Sequence, residues 1–148
     1  MTSTSAPTGQ RGSSGQAADT RLSILLYSDD VEIREAVKLA VGRRAAPDLP
    51  PVRWIECATP PAVIAAADEG GLDLLVLDGE AVPAGGMGLC KQLKDEIYQC
   101  PPVLVLIGRP QDAWLATWSG ADHAVPHPLD PVAVVEAVEL LARTRLAG

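Results

Sequence analysis

The chain has 148 residues, 47% of them hydrophobic, with a net charge of −7 and only five aromatic side chains, none of them Phe. This length suits one domain whose core must be built from Leu, Val, Ile and Ala. The acidic balance argues against nonspecific nucleic-acid binding, which rests on Lys and Arg at phosphates, and against direct attraction to an anionic membrane surface.

Residues 1–20 (MTSTSAPTGQRGSSGQAADT) are rich in Ser, Thr, Gly and Ala and hold no apolar run. They are expected to form a disordered tail, neither signal peptide nor anchor, ahead of one domain over 21–148. No segment reaches the length of a membrane span, so the protein is expected to be soluble and cytoplasmic.

From residue 22 onward, strand-like and helix-like segments alternate. A first strand over 22–27 (LSILLY) precedes a helix over 31–43, with Ile33, Val37, Ala40 and Val41 at helical spacing and Asp30 as its N-cap. A Pro-rich loop leads to a second strand over 52–57. Thr59 then caps a helix whose prolines, Pro60 and Pro61, suit a first turn, and Gly70 and Gly71 stop it. The third strand is read over 72–77 (LDLLVL), followed by a helix over 88–98 with Leu89, Leu93 and Ile97 on one face. A fourth strand over 103–107 (VLVLI) precedes a helix over 111–119, and a short fifth strand over 123–126 precedes a last helix over 131–145, capped by Asp130. Repeated βα units imply right-handed crossovers and a parallel sheet covered on both faces.

Asp29 and Asp30 follow the first strand and Asp78 follows the third. In an open α/β sheet, chemistry gathers at the carboxyl ends of the strands. Carboxylates brought together there repel unless a cation or proton intervenes, so these three are candidate ligands of a divalent ion. No G-x-G-x-x-G follows the first strand and no G-x-x-x-x-G-K-[ST] is present. The acidic SDDVE loop would repel a flavin phosphate, which argues against an FMN carrier. Cys57, Cys90 and Cys100 are widely spaced and read as free thiols. His123 and His127 lie too far from them in sequence to suggest zinc.

With these acids, Gly120-Ala121-Asp122 before the fifth strand and the HPLDP segment from His127 to Pro131, residues 22–146 resemble the receiver domain of bacterial two-component response regulators. The resemblance implies a flavodoxin-like, doubly wound five-stranded parallel sheet of order 2-1-3-4-5. It implies that Asp29 and Asp30 match the acidic pair that helps hold Mg²⁺ and that Asp78 matches the phosphoacceptor. It also implies a cis His127–Pro128 peptide. Mg²⁺ suits oxygen ligands and would let Asp78 attack a phosphoryl group.

Three positions depart from the family. Gly108 stands where a Ser or Thr would bond the phosphoryl oxygens, His127 where a Lys would pair with them, and Ala124 where a switch aromatic would turn. The loop after Asp78 is also slightly longer. Histidine is shorter than lysine and only partly charged at neutral pH. Each lost charge-assisted contact costs roughly 1.5–3 kcal/mol. Phosphorylation is therefore expected to be reduced or lost and Mg²⁺ to bind weakly. Arg109 is an alternative cation for the site, and a strand-end residue bonded to neighbouring backbone is the plainer expectation for His127.

No output domain or DNA-binding helix follows the receiver-like unit, so its own surface is expected to do the work. Trp114 and Trp118 lie four apart and share a helix face, and the resemblance at Gly120-Ala121-Asp122 implies that Ala116 and Ser119 face inward and both Trp outward. They are candidates for binding a protein partner, although the rings could instead fold against the neighbouring helix or the tail. Trp54 is read as core or strand-edge packing. The Ala, Pro and Arg richness suits an actinobacterial source. The chain is similar to stand-alone actinobacterial receiver-like proteins associated with the respiratory NADH:quinone oxidoreductase, which implies that complex or a sensor kinase as partner. The alternatives are a working Mg²⁺-dependent switch at Asp78 and a small-molecule module in the strand-end cleft.

Overall fold

Five branched or Leu-rich strands form a parallel sheet of order β2-β1-β3-β4-β5 in the computed structural model, which describes residues 20–81 and 85–147. The expected tail, apart from Thr20, lies outside the described residues, as does the middle of the loop after Asp78. The elements are β1 (Leu22–Tyr27), α1 (Val31–Val41), β2 (Val52–Cys57), α2 (Pro60–Glu69), β3 (Leu74–Asp78), α3 (Gly86–Glu96), β4 (Val103–Ile107), α4 (Ala113–Trp118), β5 (His123–Pro126) and α5 (Pro131–Ala147). A 3₁₀ turn, Pro110–Asp112, leads into α4.

The three central strands are buried at every position, as expected when helices cover both faces. Alternate side chains feed two cores. Ile24, Leu26, Val76, Leu104 and Leu106 meet Val37 and Val41 of α1 and Val134, Val138 and Leu141 of α5, with Trp54 packed at the margin. Leu25, Tyr27, Leu75, Leu77 and Val105 meet Val63 of α2, Leu89 and Leu93 of α3 and Ala116 of α4. The caps agree with the sequence pattern. Asp30 accepts from Glu32 N at 2.8 Å, Thr59 from Ala62 N at 3.3 Å and Asp130 from Val132 N at 3.1 Å.

Several boundaries differ from the expected ones. α1 stops at Val41 because Gly42 turns to φ 70. β3 begins at Leu74, since Asp73 turns its carboxylate to the Ser23 backbone N–H at 2.8 Å. α3 starts earlier, at Gly86, and its end is set where Ile97 becomes extended at φ −102.

Gly86 seats α3 on the end of β3. A Cβ there would stand 2.8 Å from the Asp78 carbonyl carbon and oxygen and 2.9 Å from the Leu77 carbonyl carbon. Because these are backbone atoms, Gly86→Ala is expected to lower stability by about 1–3 kcal/mol. Urea unfolding checks this, and an unchanged midpoint would contradict the close seating.

Candidate functional site

The end of β1 is the origin of the site. Tyr27 pairs with Leu77, so the next residue of β1, Ser28, comes abreast of Asp78. Both are buried, Asp78 being 3% exposed. The Ser28 hydroxyl donates to Asp78 Oδ2 at 2.8 Å. The other carboxylate oxygen, Oδ1, accepts the Glu80 backbone N–H at 3.0 Å and lies 3.4 Å from His127 Nε2. A buried carboxylate needs such partners, because an unmatched charge out of water is strongly disfavoured.

Ser28 also ties the site to the flank of the sheet. Its Oγ accepts from Asp30 N at 3.1 Å and its carbonyl accepts from Arg34 Nη1 at 2.6 Å. Arg34 Nε and Lys38 Nζ both reach Glu56, at 3.0 and 2.7 Å. The Lys38 ammonium, then Arg34, hold the Glu56 carboxyl below its ordinary 4.5.

Asp29, Asp30, Ile33, Asp78, Glu80, Gly108 and His127 line an open cleft of about 420 Å³ at the carboxyl ends of the strands. The expected acids thus share one cleft, with different employment. Asp29 is exposed at the rim, while Asp30 spends one oxygen on the α1 cap. Burial, then the charges of Asp29 and Asp78, push the Tyr27 phenol up. Among the described residues no three His, Cys, Asp or Glu side chains converge into a cage for a metal ion. The cleft's donors are mostly the oxygens that Mg²⁺ favours in kind, but they are not gathered around one point.

The three departing positions lie where the strand ends put them. Gly108 follows β4, and the Glu80 carboxylate rests against it: a Cβ at 108 would stand 2.7 Å from Glu80 Cδ and Oε1. His127 follows β5 at the cis His127–Pro128 peptide and turns its ring to Asp78 while its N–H donates to Ile107 O at 2.7 Å. It therefore bonds the neighbouring backbone and faces the cleft as well. Ala124 packs at the margin of the second core. Arg109 pairs with Asp112 at 3.0 Å, so the structure does not supply it as a cation to Asp78.

Trp114 and Trp118 face outward, 67% and 59% exposed, while Ala116 and Ser119 are buried. Lys91 of α3 stands 6.0 Å from the Trp118 ring centre. The thiols are free, with Cys57 and Cys90 buried and Cys100 half-buried, and burial pushes all three upward in pKa. Among the described residues no helix is long and apolar enough to cross a membrane.

Sequence reasoning missed Ser28 and Glu80. The signal for Ser28 was its place as the first residue past β1. Glu80 had none beyond lying two residues after Asp78, because its contact with Gly108 comes from the fold.

No family model matches the chain. Uncharacterized response regulatory proteins from two strains of Mycobacterium tuberculosis are 56% identical over 126 residues, spanning 85% of this chain and 95% of each relative. Among solved structures, a Francisella response regulator receiver domain superposes with a TM-score of 0.70 at 17% identity, covering 84% of this chain and 98% of that one. The receiver domain of a Luxo repressor protein from Vibrio parahaemolyticus gives 0.71 at 17%, over 86% and 94%. The response regulator TrrA from Thermotoga maritima, in complex with Mg²⁺-BeF, gives 0.65 at 19%, over 81% and 98%.

Proposed function

The chain belongs to the response-regulator receiver family, and from that premise we propose that it is a protein-binding regulatory module whose phosphoryl chemistry is reduced or lost. The observation that carries this reading is the state of Asp78. Both its oxygens are engaged by Ser28, the Glu80 N–H and His127, and Gly108 has no side chain with which to hold an incoming phosphoryl group. The exposed Trp114 and Trp118 supply the kind of anchor that dominates binding energy at interfaces.

The partner we propose is a respiratory NADH:quinone oxidoreductase, met on its cytoplasmic side, with a sensor kinase as the competing choice. Mg²⁺ binds weakly in this account, at Asp29, Asp30 and Asp78, and is not needed for docking. Affinity capture with the tagged full chain from detergent-solubilised membranes of its host tests the partner. The oxidoreductase should co-purify without added phosphodonor. Capture of a sensor kinase in its place, or of the oxidoreductase only after phosphodonor treatment, would contradict the reading.

A further inference from the structure

We infer that Glu80 disfavours a phosphoryl group in the cleft by placing a carboxylate in the space that Gly108 leaves open; this deepens the reading above and rests on it. All three heavy atoms of the Glu80 carboxylate group lie where a side chain at 108 would begin: a Cβ there would be 2.7 Å from Cδ and Oε1 and 3.0 Å from Oε2. The other end of the residue is fixed, because its backbone N–H donates to Asp78 Oδ1 at 3.0 Å. Glu80 therefore starts beside the Asp78 carboxylate and ends against Gly108 at the tip of β4. A side chain at 108 would displace the exposed Glu80 carboxylate from its present position.

Charge acts in the same direction as volume. The groups around the cleft are Asp29, Asp30, Asp78, Glu80 and His127. A phosphoryl group brings up to two further negative charges, and Glu80 meets it with another carboxylate in place of a hydroxyl donor. The nearby Arg109 pairs with Asp112, so its charge is partly answered elsewhere. Glycine at 108 and glutamate at 80 thus act as one unit: the first removes the ligand for a phosphoryl group, and the second occupies its place.

The test uses the full chain with Mg²⁺ and acetyl phosphate. An Asp78 carboxylate oxygen forms the bond to phosphorus as the bond from phosphorus to the acetate oxygen breaks, and acetate leaves with the electron pair. Intact mass reads the adduct, Asp78→Asn gives its background, and thermal unfolding verifies that each variant is folded. Wild type should label barely above background. Glu80→Gln, which keeps the volume and removes the charge, should label about tenfold faster, the worth of one like charge within hydrogen-bonding range of a site. Glu80→Ala, which also frees the volume, should exceed it, and Glu80→Ala with Gly108→Ser should label fastest. Gly108→Ser alone should gain less than the double variant, because the Glu80 charge stays at the cleft. Rapid labelling of wild type would overturn the proposed function itself. Unlabelled wild type with equally unlabelled Glu80 variants, or full gain from Gly108→Ser alone, would overturn only the role given to Glu80.

Discussion

Replacing Trp114 and Trp118 together by alanine is expected to weaken partner binding at least 100-fold while leaving the fold intact, since interface tryptophans of this kind are worth about 2 kcal/mol or more each. The two rings project from α4 at 67% and 59% exposure, so little of either is committed to the core. The residues that hold α4 to the sheet are others: Ala116 is buried, and Ser119 is buried with its hydroxyl donating to Ala116 O at 2.6 Å. Truncating the rings should therefore shift stability by about 0.5 kcal/mol at Trp114, as at other exposed positions, and by no more than about 1 kcal/mol at Trp118. Lys91 at 6.0 Å from the Trp118 ring adds a cation–π contact of about 0.5–1 kcal/mol at an exposed site, which sets the upper end of that shift for Trp118. Titration calorimetry or biolayer interferometry against the captured partner reads the affinity, and urea unfolding reads the fold. Full affinity in the double variant would remove the docking surface from the account.

Introducing a carboxylate at Ser28 should make stability depend on Mg²⁺. In wild type the Ser28 hydroxyl donates to Asp78 Oδ2 at 2.8 Å, and this bond lets the buried Asp78 carboxylate stand beside β1 without a cation. Ser28→Asp removes the donor and sets a second negative charge abreast of the first, a change expected to cost roughly 2–4 kcal/mol without metal. The same change adds a carboxylate where Asp78 already presents one, so Mg²⁺ then has two adjacent carboxylates to bridge. Metal at one hundred times its dissociation constant would restore about 2.7 kcal/mol. Ser28→Ala separates the two effects, since it loses the hydrogen bond without gaining a metal ligand and should stay destabilised with or without Mg²⁺. Thermal unfolding across a Mg²⁺ titration is the measurement. An Mg²⁺-induced shift as large in wild type as in Ser28→Asp would mean that the natural acids already form a metal site.

The contrast between Ser28 and the neighbouring acids shows where the sequence stops being informative. The strands were legible because their runs are apolar throughout, as buried parallel strands require, and β4 and β5 fall on their expected residues. Helix starts were legible from Asp30, Thr59 and Asp130, whose side-chain caps are local chemistry. The site needed a finer reading. A one-residue step at a strand end changes which side chain faces the neighbouring strand. The prominent Asp29–Asp30 pair therefore drew the expectation one place past the residue that meets Asp78. The outward Trp pair was accessible from helical spacing together with the resemblance at Gly120-Ala121-Asp122. The Glu80–Gly108 contact was not, because it joins the loop after β3 to the end of β4 through space. The ring of His127 faces Asp78 from the end of β5, in the site where the resemblance at HPLDP places that residue.

The most direct test of a partner-binding module that does not depend on phosphorylation is the dissociation constant of the purified chain for its captured partner, measured with and without Mg²⁺ and acetyl phosphate, for wild type and Asp78→Asn. The account predicts one value across all four conditions, within about twofold, less than a single tenfold step of 1.4 kcal/mol. A phosphodonor-dependent change of tenfold or more in wild type that Asp78→Asn abolishes would contradict it.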